Sequence, residues 1–303
     1  MDESIILIKG LVKRYGSFTA VNGLDIEVKK GEVFGILGPN GAGKTTTLEC
    51  LEGIRKSDGG KIRVAGCDPE ADERKLRNKL GVQLQSSSLP DSILVGEAIS
   101  LIGAWHGLSE CSKLIKKFRI ENLLKKQYGK LSTGQKRHLH LALALINNPD
   151  VVVLDEPTAG LDVQSRAQLH EEILSIKSQG ITVLLATHDM AEVEKLCDRI
   201  AIIIHGRLAV CGTTEQVKSA GNKQTSIRLR TNKGSLLPGT NIGEAKFIKT
   251  KEGYLEWKSE DIESSILEML KKVKDAGDTI EDLRVERPTI EERFLELVEG
   301  VEN

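Results

Sequence analysis

The chain has 303 residues with 43 Lys and Arg against 44 Asp and Glu, a formal net charge of -1, which excludes a global basic field aimed at nucleic acid or anionic lipid. Hydrophobic residues at 39% and charged residues at 29% exclude a disordered chain and a membrane-embedded one. The length allows one large domain with its own core and a smaller second one.

In chain order, Ile5 to Val28 is strand-like, with alternation in Leu24-Asp25-Ile26-Glu27-Val28 and turn residues at Tyr15-Gly16-Ser17 and Asn22-Gly23; it predicts an antiparallel β opening. A continuous apolar strand, Val33 to Leu37, runs through a Gly-rich turn into a helix from about Gly43 to Leu51, the layout of an α/β core. Between Leu89 and Leu145 the strand signal vanishes and apolar residues recur at helical spacing, as in Ala98, Leu101, Ile102 and Trp105, so a helical insertion is predicted over about 88-145. Two buried strands follow, Val151 to Leu154 and Ile181 to Leu185, with a helix from about Val163 to Ser178 between them; that order implies a parallel pair with a right-handed crossover.

A strand pair, Ile200 to His205 and Leu208 to Cys211, is joined at Gly206-Arg207, and the polar stretch 219-224 reads as a linker. Beyond it, strands at Ile227 to Arg230 and Tyr254 to Trp257, a helix from about Asp261 to Ala276, and a last helix marked by Thr289, Glu292 and Gly300 make a small α+β module. The predicted domains are therefore 1-218 and 225-303.

The longest apolar runs, Ile181 to Ala186 and Ile200 to Ile204, fall far short of the roughly 20 residues that span a bilayer. The acidic start Met1-Asp2-Glu3-Ser4 is unlike a secretory signal, so the chain is expected in the cytoplasm. Five cysteines without C-x-x-C spacing suit reduced thiols.

The turn after the Val33 to Leu37 strand reads Gly38-Pro39-Asn40-Gly41-Ala42-Gly43-Lys44-Thr45-Thr46. Polyphosphate binding needs glycines that let backbone N–H groups turn inward, a lysine for the outer phosphates and a hydroxyl for Mg²⁺. Gly38, Gly41, Gly43, Lys44 and Thr45 supply all three between a strand and a helix, the arrangement that such a loop requires. Asp155 and Glu156 end the strand Val151 to Leu154 and so emerge at the carboxyl edge of the sheet. Asp155 is placed to hold the Mg²⁺ shell and Glu156 to polarise an attacking water; a helix cap or solvated turn is the plainer alternative. His188 follows the strand Ile181 to Ala186 and reaches the same edge, unless it is only a surface or capping histidine.

Leu131-Ser132-Thr133-Gly134-Gln135-Lys136-Arg137 resembles the LSGGQ signature of ABC ATPases. The order of phosphate loop, Gln85, signature, Asp155-Glu156, Ala159-Gly160-Leu161-Asp162 and His188 is that family's order over residues 5 to about 218. The resemblance implies a phosphate-loop NTPase core with ATP and Mg²⁺ as cofactors. It also implies that Tyr15 stacks on adenine, where the sequence alone would equally allow a turn tyrosine, and that Gln85 touches Mg²⁺ and the attacking water. In that family two nucleotide domains pair head to tail. Ser132, Gly134 and Gln135 of one copy then close over the nucleotide held by the other, and Asp162 sits at the seam. Thr133 departs from the pattern, standing where the family usually has a glycine, and a β-branched residue restricts the backbone there.

Leu94 to Ala98, Ala104 to Leu108 and the tail Glu286 to Leu297 are similar to bacterial drug-export ABC subunits, whose C-terminal domain helps dimerisation or regulation. The implied partners are separate integral membrane transporter subunits and a second nucleotide-binding subunit, with the chain peripheral on the cytoplasmic face. The competing class is a soluble ABC ATPase acting on nucleic acid or the ribosome. A single phosphate loop, only Ser86 to Lys130 between Gln85 and the signature, and the near-neutral charge oppose it.

Overall fold

The computed structural model describes residues 3–84, 89–220 and 224–302. The chain divides into two compact units, Met1–Thr214 and Glu215–Asn303. Unit 1 opens with the hairpin β1 (Ser4–Tyr15) and β2 (Phe18–Lys29), which turns at Gly16-Ser17 as the sequence predicts. Asn22-Gly23 is not a turn but lies inside β2. Leu11 pairs with Leu24 and Val12 with Asn22, so Gly23, at φ +73°, is the extra residue of a β-bulge, where a left-handed backbone favours glycine.

Next come β3 (Val33–Leu37), α1 (Lys44–Leu51), β4 (Gly59–Val64), the short α2 (Glu73–Leu76) and β5 (Leu80–Gln83). The insertion holds α3 (Val95–Trp105), α4 (Ser112–Lys117) and α5 (Thr133–Ala144), and contains no strand among the described residues. The chain then runs through β6 (Val151–Asp155), α6 (Val163–Ser178), β7 (Thr182–Ala186), α7 (Met190–Leu196), β8 (Arg199–Ile204) and β9 (Arg207–Thr213). The β8–β9 turn is His205-Gly206, one residue earlier than the sequence suggests. The described strands of this unit form one sheet in the order β2-β1-β4 and another in the order β5-β6-β7-β3-β8-β9. In the second, β5, β6, β7, β3 and β8 run parallel. Every residue of β3, β6 and β7 is buried, which is why these segments read as continuous apolar runs: a parallel sheet is covered on both faces. The parallel direction places the loops after β3, β6 and β7 at one edge. β7 intervenes between the other two.

The helix α8 (Thr214–Ser219) begins at the last residue of unit 1 and ends on the first residue of the predicted linker, of which positions 221–223 lie outside the described residues. There follow β10 (Thr225–Thr231), β11 (Lys246–Lys251), β12 (Tyr254–Ser259), α9 (Ile262–Asp275), β13 (Ile280–Glu286) and α10 (Ile290–Glu302). The sheet order is β11-β12-β10-β13. Its core is Ile227, Leu229 and Trp257 from the sheet against Met269 and Val273 of α9, and the Trp257 indole N–H donates to the Thr240 carbonyl at 2.8 Å. Thr289 and Glu292 cap α10 reciprocally at 3.1 and 3.3 Å. Gly300 does not end that helix, which continues to Glu302.

Candidate nucleotide site

The turn after β3 wraps back on its own lysine. Lys44 Nζ donates to the Gly38 carbonyl at 2.7 Å and the Pro39 carbonyl at 3.2 Å, so the ammonium is tethered across the loop it closes. Gly43 is fixed twice: its φ is +98°, and a Cβ there would lie 2.4 Å from the Ala20 carbonyl oxygen. Thr47 then locks the first turn of α1, its hydroxyl donating to the Gly43 carbonyl at 2.8 Å. Thr45 and Thr46 stand in that same turn.

Asp155 and Glu156 leave the end of β6 with 4% and 8% exposure. Glu156 has φ +48°, a left-handed backbone that a non-glycine residue adopts at a cost of about 1–3 kcal/mol. Neighbouring backbone holds it there: its N–H donates to the Ala186 carbonyl of β7 at 2.9 Å and its carbonyl accepts from Ala159 at 3.2 Å. The Nδ1–H of His188, just past β7, donates to Glu156 Oε1 at 2.7 Å, and the imidazole is otherwise open, at 68% exposure. Burial and the adjoining Glu156 push the Asp155 carboxyl up to about 6, with Lys44 and Arg137 pulling the other way. Burial lowers the Lys44 ammonium, and Glu156 and Asp155 oppose that fall. The edge thus gathers two carboxylates, one lysine and one histidine.

A second cluster joins the N-termini of α5 and α6. Ser132 caps α5, its Oγ accepting from Gln135 N–H while Gln135 Oε1 accepts from Ser132 N–H, both at 3.2 Å. Asp162 caps α6 by accepting from the Ser165 N–H at 2.8 Å and from its hydroxyl at 2.9 Å. Gly134 is where the helices meet, since a Cβ on it would fall 2.6 Å from Ser165 Oγ. Thr133 is the first residue of α5, exposed and with no left-handed backbone; its β-branch meets no conflict, and the departure from the signature pattern leaves the helix start intact.

Tyr15, 40% exposed, ends β1 with the Arg55 guanidinium 5.2 Å and Lys13 Nζ 5.7 Å from its ring centre. Gln85 lies outside the described residues. The sequence reading missed Ser165 and the ion pair between Arg166 of α6 and Asp189, 3.3 Å apart, which ties the start of α6 to the turn bearing His188. The D-x-x-S spacing of Asp162 and Ser165 was a cap signal available in the sequence.

The family model described as ABC transporter matches residues 21–159. The daunorubicin resistance ATP-binding protein DrrA3 of Streptomyces coeruleorubidus is 33% identical over 98% of this chain and 96% of its own. The chain belongs to the ABC transporter ATP-binding subunits. This ABC ATPase is also 42% identical, over 68% of its length and 70% of the relative's, to the Nod factor export ATP-binding protein I of Burkholderia orbicola (strain AU 1054). Among solved structures, an ATP-binding subunit of an ABC transporter superposes with a TM-score of 0.66 at 26% identity, covering 72% of this chain and 93% of that one. The cbiO1 protein of Clostridium perfringens, part of the ABC transporter complex cbiONQ, gives 0.65 at 30% identity, covering 72% and 91%. The ABC ATPase is thereby an ATP-binding, ATP-hydrolysing subunit. Among its described residues no helix is long and apolar enough to cross a membrane.

Proposed function

We propose that the chain powers export through separate membrane subunits, hydrolysing ATP at the edge formed by Lys44, Asp155, Glu156 and His188. The observation that carries the chemistry is Glu156: a buried carboxylate on a strained left-handed backbone, hydrogen-bonded to His188 at 2.7 Å. Strain kept at an edge that also holds Lys44 supports a positioning task. Phosphoryl transfer asks for positioning and charge stabilisation above covalent chemistry. Lys44 and the backbone N–H groups of Gly41 and of Gly43 to Thr46 would hold the phosphates, Glu156 would orient the water, and His188 would fix Glu156 and face the γ-phosphate. Tyr15 would offer its exposed ring to adenine.

The residues fit Mg²⁺. Two buried carboxylates share one lysine at this edge, and burial together with the adjoining Glu156 raises the Asp155 carboxyl to about 6, so a cation there would be welcome. No group of three or more His, Cys, Asp or Glu side chains among the described residues forms a metal cage, but Mg²⁺ is ordinarily held by one or two carboxylates together with substrate phosphates. Thr45, Asp155 and Gln85 would hold it, and when bound it would neutralise charge on the phosphates.

Ser132, Gly134, Gln135 and Asp162 would act on the nucleotide of a second copy or a related subunit, closing the pair. Ser132 and Gly134 stand at the N-terminus of α5, whose dipole favours an anionic ligand, while Asp162 takes the N-terminus of α6 for itself. The export direction rests on the names of the drug-resistance and Nod factor relatives, which favour transport over the soluble class. Residues 225-303 would form the accessory unit that serves dimerisation or regulation, at the cytoplasmic face of the membrane. Glu156→Gln should keep ATP binding, lose roughly 10²–10⁴-fold in turnover and trap a nucleotide-bound dimer; normal steady-state phosphate release would remove Glu156 from its role. Co-purification of the chain from membranes with a spanning protein tests the transport reading.

A further inference from the structure

The middle of α5 carries a histidine whose two ring nitrogens both face atoms that can only accept. His138 Nδ1 lies 2.7 and 2.8 Å from the two carboxylate oxygens of Glu172 on α6. Its Nε2 lies 2.6 Å from the backbone carbonyl oxygen of Phe118, the residue after α4. Neutral imidazole has one N–H. In either tautomer, one of these contacts would set a nitrogen lone pair against an oxygen lone pair. The imidazolium satisfies both.

The surroundings are built to hold the ring in place. Glu172 Oε1 also accepts from the Gln168 amide at 3.1 Å. The His138 ring meets the Phe118 ring edge-on at 5.5 Å, and Lys117 Nζ donates to Gln179 Oε1, just past α6, at 2.6 Å. The pair lines a groove of about 720 Å³ among α4, α5 and α6, where the facing charges are Glu171 and Glu172 from α6, Lys117 and Arg119 from the α4 end, and Arg137 from α5. Both side chains are largely shielded, at 17% and 19% exposure.

We propose that His138, as the imidazolium, is a positioning residue for ATP hydrolysis: a clasp that fixes the signature helix α5 to α6 and to the end of α4, and that opens when its proton leaves. Burial by itself would lower the affinity of His138 for a proton, but the hydrogen bond and charge of Glu172, with the Phe118 carbonyl, more than offset it and raise the pKa above the ordinary histidine value. The sign follows: the clasp is fully made below the ordinary value of about 6.5 and is lost as pH rises through the higher folded value. Ser132 and Gly134 begin the same helix, so a loosened clasp would let the signature end of α5 drift while leaving Lys44 and its loop untouched. This consequence rests on the reading above that the signature residues act on nucleotide.

The test pairs two readouts on the full chain. Imidazole ¹⁵N spectra, with His138 assigned through His138→Gln, should show both nitrogens protonated at pH 7, and Glu172→Gln should move the titration to lower pH. Steady-state ATPase measured from pH 6 to 9 should fall roughly tenfold on the alkaline limb in the wild type, the equivalent of one charge-assisted hydrogen bond, with ATP-analogue binding unchanged. His138→Arg, which keeps donors and a permanent charge, should flatten that limb. A neutral His138 at pH 7, or the same alkaline limb in His138→Arg as in the wild type, would overturn the clasp. Glu156→Gln run alongside separates the two ideas: normal turnover in that variant would sink the catalytic reading, whereas an unaltered limb in His138→Arg with Glu156→Gln inactive would sink the clasp alone.

Discussion

Gly134→Ala is expected to destabilise unit 1 through the close approach of α5 to α6. The added Cβ would fall 2.6 Å from Ser165 Oγ and 3.0 Å from Ser165 Cβ, distances that side chains do not tolerate. Ser165 would have to turn away, giving up the 2.9 Å bond from its hydroxyl to Asp162 Oδ2. That bond is exposed, so the loss is carried by the overpacking itself, which costs about 1–3 kcal/mol. The middle of that range is about 2 kcal/mol. For a unit of this size that is a fall of about 4–8 °C in Tm, measurable by scanning calorimetry of the nucleotide-free chain. Ser165→Gly removes both clashing atoms, so the double variant should lose less than the two single losses added together. Thr133→Gly, one residue earlier, meets none of these atoms and should shift Tm by no more than the few tenths of a kcal/mol of helix propensity. Simple additivity in the double variant, or a Thr133→Gly loss as large as that of Gly134→Ala, would refute the steric account.

Gly43→Ala puts a methyl group 2.4 Å from a backbone oxygen at φ +98°; neither can yield cheaply, and ATP affinity by equilibrium titration should drop at least about tenfold, the equivalent of 1.4 kcal/mol. Glu52, just past the end of α1, has both carboxylate oxygens buried without a hydrogen-bond partner among the described residues, and burial with Asp155 and Glu49 nearby pushes it up to about 8. Its folded pKa is raised, so the folded chain binds the extra proton and loses up to about 1.4 kcal/mol of stability per pH unit as pH climbs from the ordinary carboxylate range toward 8. Urea unfolding at a series of pH values should show that slope reduced in Glu52→Gln, and an unchanged slope would place the titration elsewhere.

The phosphate loop, its strand and its helix were fully legible because they are local: a five-residue apolar run, glycines at fixed spacing and Lys44 all sit within fourteen residues of one another. The buried strands β6 and β7 and the helix between them were legible for a related reason, since two-faced burial writes an unbroken apolar run. Short or half-exposed strands were not. β4, β11 and β13 are interrupted by charged residues, Lys61 and Arg63 in β4, three lysines in β11, and Glu281, Asp282, Arg284 and Glu286 in β13, and β4 and β13 pair with strands far back along the chain, β1 and β10. Gly23 read as a turn because a bulge and a turn ask for the same left-handed backbone.

What the sequence determined by itself was the inventory and the edge: the residues proposed for phosphate chemistry, and that they stand at the ends of β3, β6 and β7. What only tertiary structure decided was how those residues are held. Glu156 lies in a left-handed backbone pinned by β7, Gly134 is a point of contact between two helices, and His138 is gripped by Glu172 and Phe118 from elements 34 and 20 residues away. Spacing along a chain encodes periodicity and local turns; a contact between side chains on separate helices is set by packing, and packing is written in no single segment.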